Sequence, residues 1–77
     1  MAISYDPLWR LLKRRNIMKK ELMEKANVSK STMDNMWREH YVALRVLDRI
    51  CTALECKIGD IIEHIPTERI EKNDHTS

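Results

Sequence analysis

The sequence predicts an all-α domain of five short helices around one core. Three observations carry that expectation. The 77 residues contain no Phe, one Gly and two Pro, so Leu, Ile and Met supply most of the apolar volume, a composition that suits helices better than a sheet. Apolar residues recur at steps of three and four, most clearly at Leu44, Leu47, Ile50, Cys51 and Leu54, the signature of one buried helical face. Finally, capping and breaking residues cut the chain into short pieces. A chain of this length forms one domain and buries only about 60% of its unfolded surface, so its core must be well packed or completed by a second chain.

The elements follow in order. Asp6 reads as an N-cap and Pro7 as the first helical position, where the missing N–H costs nothing. Leu8, Leu11 and Leu12 give the first helix its inner face, Lys13, Arg14 and Arg15 complement its C-terminal dipole, and Asn16 ends it. Ahead of it, Ile3-Ser4-Tyr5 alternates like a short strand that pairs with the chain around Ile65. The second helix is expected from about Lys19 to Lys25, with Leu22, Met23 and Ala26 inward. Met18 caps it poorly, whereas Glu21 sits well in the N-terminal dipole. Asn27 turns the chain, Val28 plugs the turn, and Ser29 caps a third helix whose buried positions are Met33 and Met36. Arg38 to Tyr41 form a polar loop before the fourth helix. Gly59-Asp60 opens a fifth, with Ile58, Ile61, Ile62 and Ile65 inward, and Pro66 stops it. Residues 1–66 are thus expected to form the domain, and 67–77 a polar, flexible tail. Tyr5 and Trp9 are expected at the edge of the core.

Charge is distributed unevenly. Residues 1–30 hold eight Lys/Arg against three acids, whereas residues 55–77 hold three against six. That polarity suits a basic surface facing a polyanion. No apolar run approaches the ~18 residues of a membrane span, and the N-terminus lacks a signal-peptide core, so a cytoplasmic protein is expected. Cys51 and Cys56 are expected as buried free thiols, since five-residue spacing matches no metal motif and no secretory signal favours a disulfide. His40, His64 and His75 share no ligand spacing with them. No nucleophile–base pair, Gly-rich phosphate loop or paired carboxylate site appears. No enzyme, metal, cofactor or small-molecule ligand is expected.

The second and third helices carry the informative pattern. Leu22, Met23, Ala26, Val28, Met33 and Met36 have the uneven inward spacing of two helices crossing steeply over a tight turn. Asn27 falls where the backbone turns, and Asn is among the few residues that tolerate φ > 0. This geometry leaves Lys30, Ser31, Asp34, Asn35 and Arg38 facing out. Lys donates to guanine O6/N7, Asn pairs with adenine N6/N7, and Ser adapts to either. Ser29 and Thr32 offer hydroxyls to phosphate oxygens, and Lys19 places an ammonium beside exposed helix N–H groups. A merely solvated face would display the same residues; the matched apolar positions and the basic N-terminal half favour a nucleic-acid surface.

Glu21 to Met36, ELMEKANVSKSTMDNM, resembles the helix-turn-helix of the Cro/CI-like (XRE-like, lambda-repressor-like) regulators, and the resemblance extends over roughly Tyr5 to Pro66. It implies a five-helix DNA-binding domain, a sequence-specific transcriptional regulator of double-stranded operator DNA whose third helix, about Ser29 to Trp37, reads the major groove. By that resemblance Lys30, Ser31 and Asn35 read bases, and Lys19, Ser29, Thr32 and Arg38 contact phosphates. The sequence departs from the family's pattern at Met23, where a small residue is usual, at Asn27 in place of Gly, and at Trp37 in place of Glu. Trp37 is expected either under the following loop or against DNA sugar. One recognition helix reads few base pairs, so a homodimer on a palindromic site is expected, with Ile61, Ile62, Ile65 and Ile70 as its candidate interface. The alternative for these four is core packing plus a frayed tail, and it is the favoured reading for Ile61 and Ile62. The competing reading is a protein-interaction module, an antitoxin-like or regulator-binding adaptor, which the acidic C-terminal end would suit.

Overall fold

A computed structural model describes residues 3–66 of the chain. Four α-helices run in order: α1 (Asp6–Arg15), α2 (Lys19–Ala26), α3 (Lys30–Trp37) and α4 (Leu44–Leu54). A single 3-10 turn, Ile58–Asp60, follows. Two-residue strands β1 (Ile3–Ser4) and β2 (Glu63–His64) pair antiparallel, Ile3 opposite His64 and Ser4 opposite Glu63. The sequence-based pairing of Ile3–Tyr5 with the chain near Ile65 therefore lies within a residue or two of the observed register.

The fifth helix is a correction. Ile58, Ile61 and Ile62 occur at helical spacing, yet the segment completes only the 3-10 turn and then extends into β2. Two competing interactions account for this. The Asp60 carboxylate accepts from the backbone N–H of Lys57 at 3.0 Å, tightening one turn, and β2 then satisfies its backbone groups against β1 rather than within a helix. Antiparallel pairing ties the two ends of the domain together.

Each of three helices ends on a left-handed residue: Asn16 (φ 58°), Asn27 (φ 56°) and Glu55 (φ 53°). Asn tolerates this conformation through its short polar side chain, whereas Glu has no such compensation. Glu55→Gly is therefore expected to stabilise the fold by roughly 0.5–1 kcal/mol, read as a higher midpoint in thermal or urea denaturation; a lower midpoint would show that the Glu55 side chain makes a stronger compensating contact. The start of α1 differs in detail from expectation. Asp6 lies inside the first turn, and its N–H is capped by the Ser4 hydroxyl at 3.1 Å.

The core joins all four helices through Leu8, Leu11, Leu12, Leu22, Ala26, Val28, Met33, Met36, Leu47, Ile50 and Leu54, with Tyr5 and Ile61 from outside the helices completing it. α4 packs chiefly on α2. Tyr5 is fully buried rather than at the core's edge, and its hydroxyl donates to the His40 carbonyl at 2.8 Å. That bond fastens the chain before α1 to the loop after α3. Burial pushes its phenol above the usual tyrosine pKa, partly offset by the Val42 backbone N–H. Arg15 does not complement α1 alone: its guanidinium donates to the Leu54 carbonyl at the C-terminus of α4, where a cation meets the negative end of that helix's dipole. Leu44 shares the angular stripe of Leu47 and Ile50 but is 71% exposed, because the first residue of α4 lies beyond the edge of the core.

Cys51 and Cys56 are free thiols, half-buried rather than enclosed. Burial, then the neighbouring Cys56 thiol, pushes the Cys51 pKa up to about 11, which keeps it protonated and a poor nucleophile near neutrality.

Candidate nucleic-acid interface

α2, the three-residue turn Asn27–Ser29 and α3 form one supersecondary unit. The left-handed Asn27 and the bond from Val28 N–H to the Met23 carbonyl (3.0 Å) close α2 and redirect the chain. Buried Val28 plugs the bend. Ser29 then caps α3: its Oγ accepts from the Thr32 backbone N–H at 3.1 Å and donates to Thr32 Oγ1 at 3.0 Å. At the start of α2, where Met18 offers no oxygen, the Glu21 carboxylate reaches back to the Met18 N–H at 3.2 Å, half of a capping box.

Met33 and Met36 anchor α3 in the core and so decide which arc of the helix faces solvent. The anchors place Lys30, Ser31, Asp34, Asn35 and Arg38 on the opposite arc. Lys30, Ser31 and Arg38 are exposed and Asn35 half-buried. Lys30 Nζ lies 3.4 Å from Asp34 Oδ2 one turn on, in a pair largely open to solvent. Such a pair is worth little in water, so Lys30 exchanges it readily for another acceptor. Lys19 is exposed at the first position of α2. Ser29 and Thr32 lie at the start of α3, their hydroxyls bonded to each other.

One feature of this surface has no local sequence signal. Trp37 is 58% exposed at the end of α3 and meets Trp9 of α1 edge-to-face, ring centroids 5.3 Å apart at 63°. Lys19 Nζ sits 3.7 Å from the Trp37 centroid and 5.3 Å from that of Trp9. Trp37 thus packs on α1 and α2, not under the following loop. Edge-to-face aromatic pairs are worth about 0.5–1.5 kcal/mol beyond area burial, and an exposed cation–π contact about 0.5–1 kcal/mol. The three residues stand on three helices, and no spacing within one segment could have brought them together.

Residues 7–67 match the family model of the Cro/C1-type helix-turn-helix DNA-binding domain. The chain belongs to that family. A crystal structure of the transcriptional regulator VanUg resembles this Cro/C1-type domain with a TM-score of 0.80 at 45% sequence identity, over 86% of this chain and 88% of that one. No curated protein matches the sequence. Family membership makes the Cro/C1-type chain a DNA-binding domain rather than an enzyme, with α2 and α3 as its helix-turn-helix. Among the described residues, no helix is long and apolar enough to cross a membrane, and no three His, Cys, Asp or Glu side chains group into a metal cluster.

The four isoleucines proposed for a dimer interface separate. Ile61 follows the core-packing alternative: with 0% of its surface exposed, it is committed to the protomer's own core. Ile62 is half-buried against that core and Ile65 is 45% exposed. Ile70 lies outside the described residues.

Proposed function

We propose that this Cro/C1-type domain is a sequence-specific transcriptional regulator that binds operator DNA with α3 in the major groove. The observation that carries the reading is the outward arc of α3, held by Met33 and Met36, on which Lys30, Ser31 and Asn35 stand together. In this reading those three meet base edges, Lys bidentate to guanine and Asn to adenine. Lys19 and Arg38 meet phosphates flanking the groove, with the Ser29 and Thr32 hydroxyls beside them, so backbone contacts supply most of the affinity and α3 the sequence preference. The surplus of basic residues over positions 1–30 supports a polyanionic partner, and the likeness to VanUg, described as a transcriptional regulator, supports the regulatory role.

Two copies on a palindromic site, with recognition helices about 34 Å apart, complete the reading. Ile65, with Ile62 beside it, is the apolar surface proposed for contact between copies. Action on operator DNA is consistent with a cytoplasmic protein.

Salt titration of binding to mixed-sequence duplex DNA tests the reading. Affinity should fall linearly on a log–log plot between 50 and 200 mM salt, with a slope of about −0.9 for each phosphate contacted. Lys19→Ala should make that slope shallower by about 0.9 for each copy bound. Absence of binding at low salt would overturn the reading and favour a protein-interaction module.

A further inference from the structure

We propose that Trp9 and Trp37 are positioning residues that hold the Lys19 ammonium at the start of α2 as a preformed phosphate contact. The proposal rests on the reading of Lys19 as a DNA-backbone residue and extends it to two side chains that no base or phosphate pattern assigns.

The geometry is specific. Lys19 Nζ lies over the Trp37 ring at 3.7 Å and within reach of the Trp9 ring at 5.3 Å, while the two rings brace each other edge-to-face. A lysine side chain ordinarily samples many rotamers, and ordering it on DNA costs conformational entropy. Here the rings order it before DNA arrives. A ring face engages an ammonium from one side, which leaves donors among its three N–H bonds for a phosphate oxygen. The cage also spans α1, α2 and the end of α3. It therefore couples the position of a backbone anchor to that of the helix proposed to read bases, and fixes register between the two contacts.

A purely structural role for the tryptophan pair predicts a different result, and a mutant cycle separates the two. Lys19→Ala, Trp37→Ala, Trp37→Phe and the Lys19→Ala/Trp37→Ala double variant of the full chain would be titrated with a mixed-sequence duplex at low salt, well below each melting midpoint. Lys19→Ala should weaken binding and flatten the salt slope. Trp37→Ala should weaken binding about two- to fivefold, Trp37→Phe should retain most of the affinity, and the double variant should bind no worse than Lys19→Ala alone. Unchanged binding by Lys19→Ala would overturn the phosphate reading of Lys19 and the cage with it. A loss with Lys19→Ala but none with Trp37→Ala would overturn the cage alone. A further loss on adding Trp37→Ala to Lys19→Ala would mean that Trp37 touches DNA itself, which also overturns the positioning role. Should Trp37→Ala fail to fold, the wild-type protein still decides. Ring-current shielding must move the Lys19 side-chain methylene protons upfield in NMR spectra of the free and DNA-bound chain, and unshifted resonances would refute the cage.

Discussion

Ile50→Ala is expected to remove a large part of the domain's stability. Ile50 is fully enclosed where α4 faces the shared core, so truncation forfeits its transfer free energy and leaves a cavity, about 2–5 kcal/mol together. A domain of 77 residues commands roughly 4–12 kcal/mol in total. The melting midpoint should fall by at least about 8 °C, since each kcal/mol shifts a domain of this size by about 4–8 °C. Leu44→Ala is the matched control. It lies on the same helix and the same apolar stripe, yet its side chain stands mostly in solvent, and its substitution should change stability by no more than about 0.5 kcal/mol. Thermal melts followed by circular dichroism compare the two directly. Equal losses would show that the start of α4 packs differently.

The second large effect concerns DNA. Lys30→Ala and Asn35→Ala should each weaken binding to a selected operator by roughly 5- to 150-fold per copy, the range of 1–3 kcal/mol for a bidentate base contact. Stability should barely move. Lys30 loses only its solvent-exposed pair with Asp34, worth about 0–1 kcal/mol, and Asn35 contributes its carbonyl, not its side chain, to the bond from His40 N–H at 2.8 Å. The discriminating comparison is mixed-sequence DNA, where Asn35→Ala should bind nearly as the wild type does, because a base contact contributes little without its base. Competition assays on both DNAs, with melting curves alongside, check the expectation. Wild-type affinity for the operator in both variants would place the reading face elsewhere.

Much of this architecture was legible because its causes are local. Asn16 and Asn27 occupy left-handed turns that few other residues accept, and the Ser29 oxygen accepts a bond from the first turn of α3. Met33 and Met36 fix the inward side of α3 by spacing alone, which leaves Lys30, Ser31 and Asn35 on the other. Local pattern misleads where distant contacts compete with it. Ile58 to Ile62 has a helical period, but pairing of β2 with β1 takes the chain out of the helix. Leu44 fits its helix's period but not its core's extent. The Trp9–Trp37–Lys19 cluster depends on how three helices meet, information that no single segment contains.

Selection of bound sequences from a random pool of duplex DNA tests the central claim, that the outward arc of α3 reads operator sequence, most directly. The expected result is an enriched site of two inverted half-sites about one helical turn apart, centre to centre, with purine preferences that relax at one position in Asn35→Ala and at another in Lys30→Ala. A pool that shows no enrichment, or an enriched site unchanged by both substitutions, would contradict it.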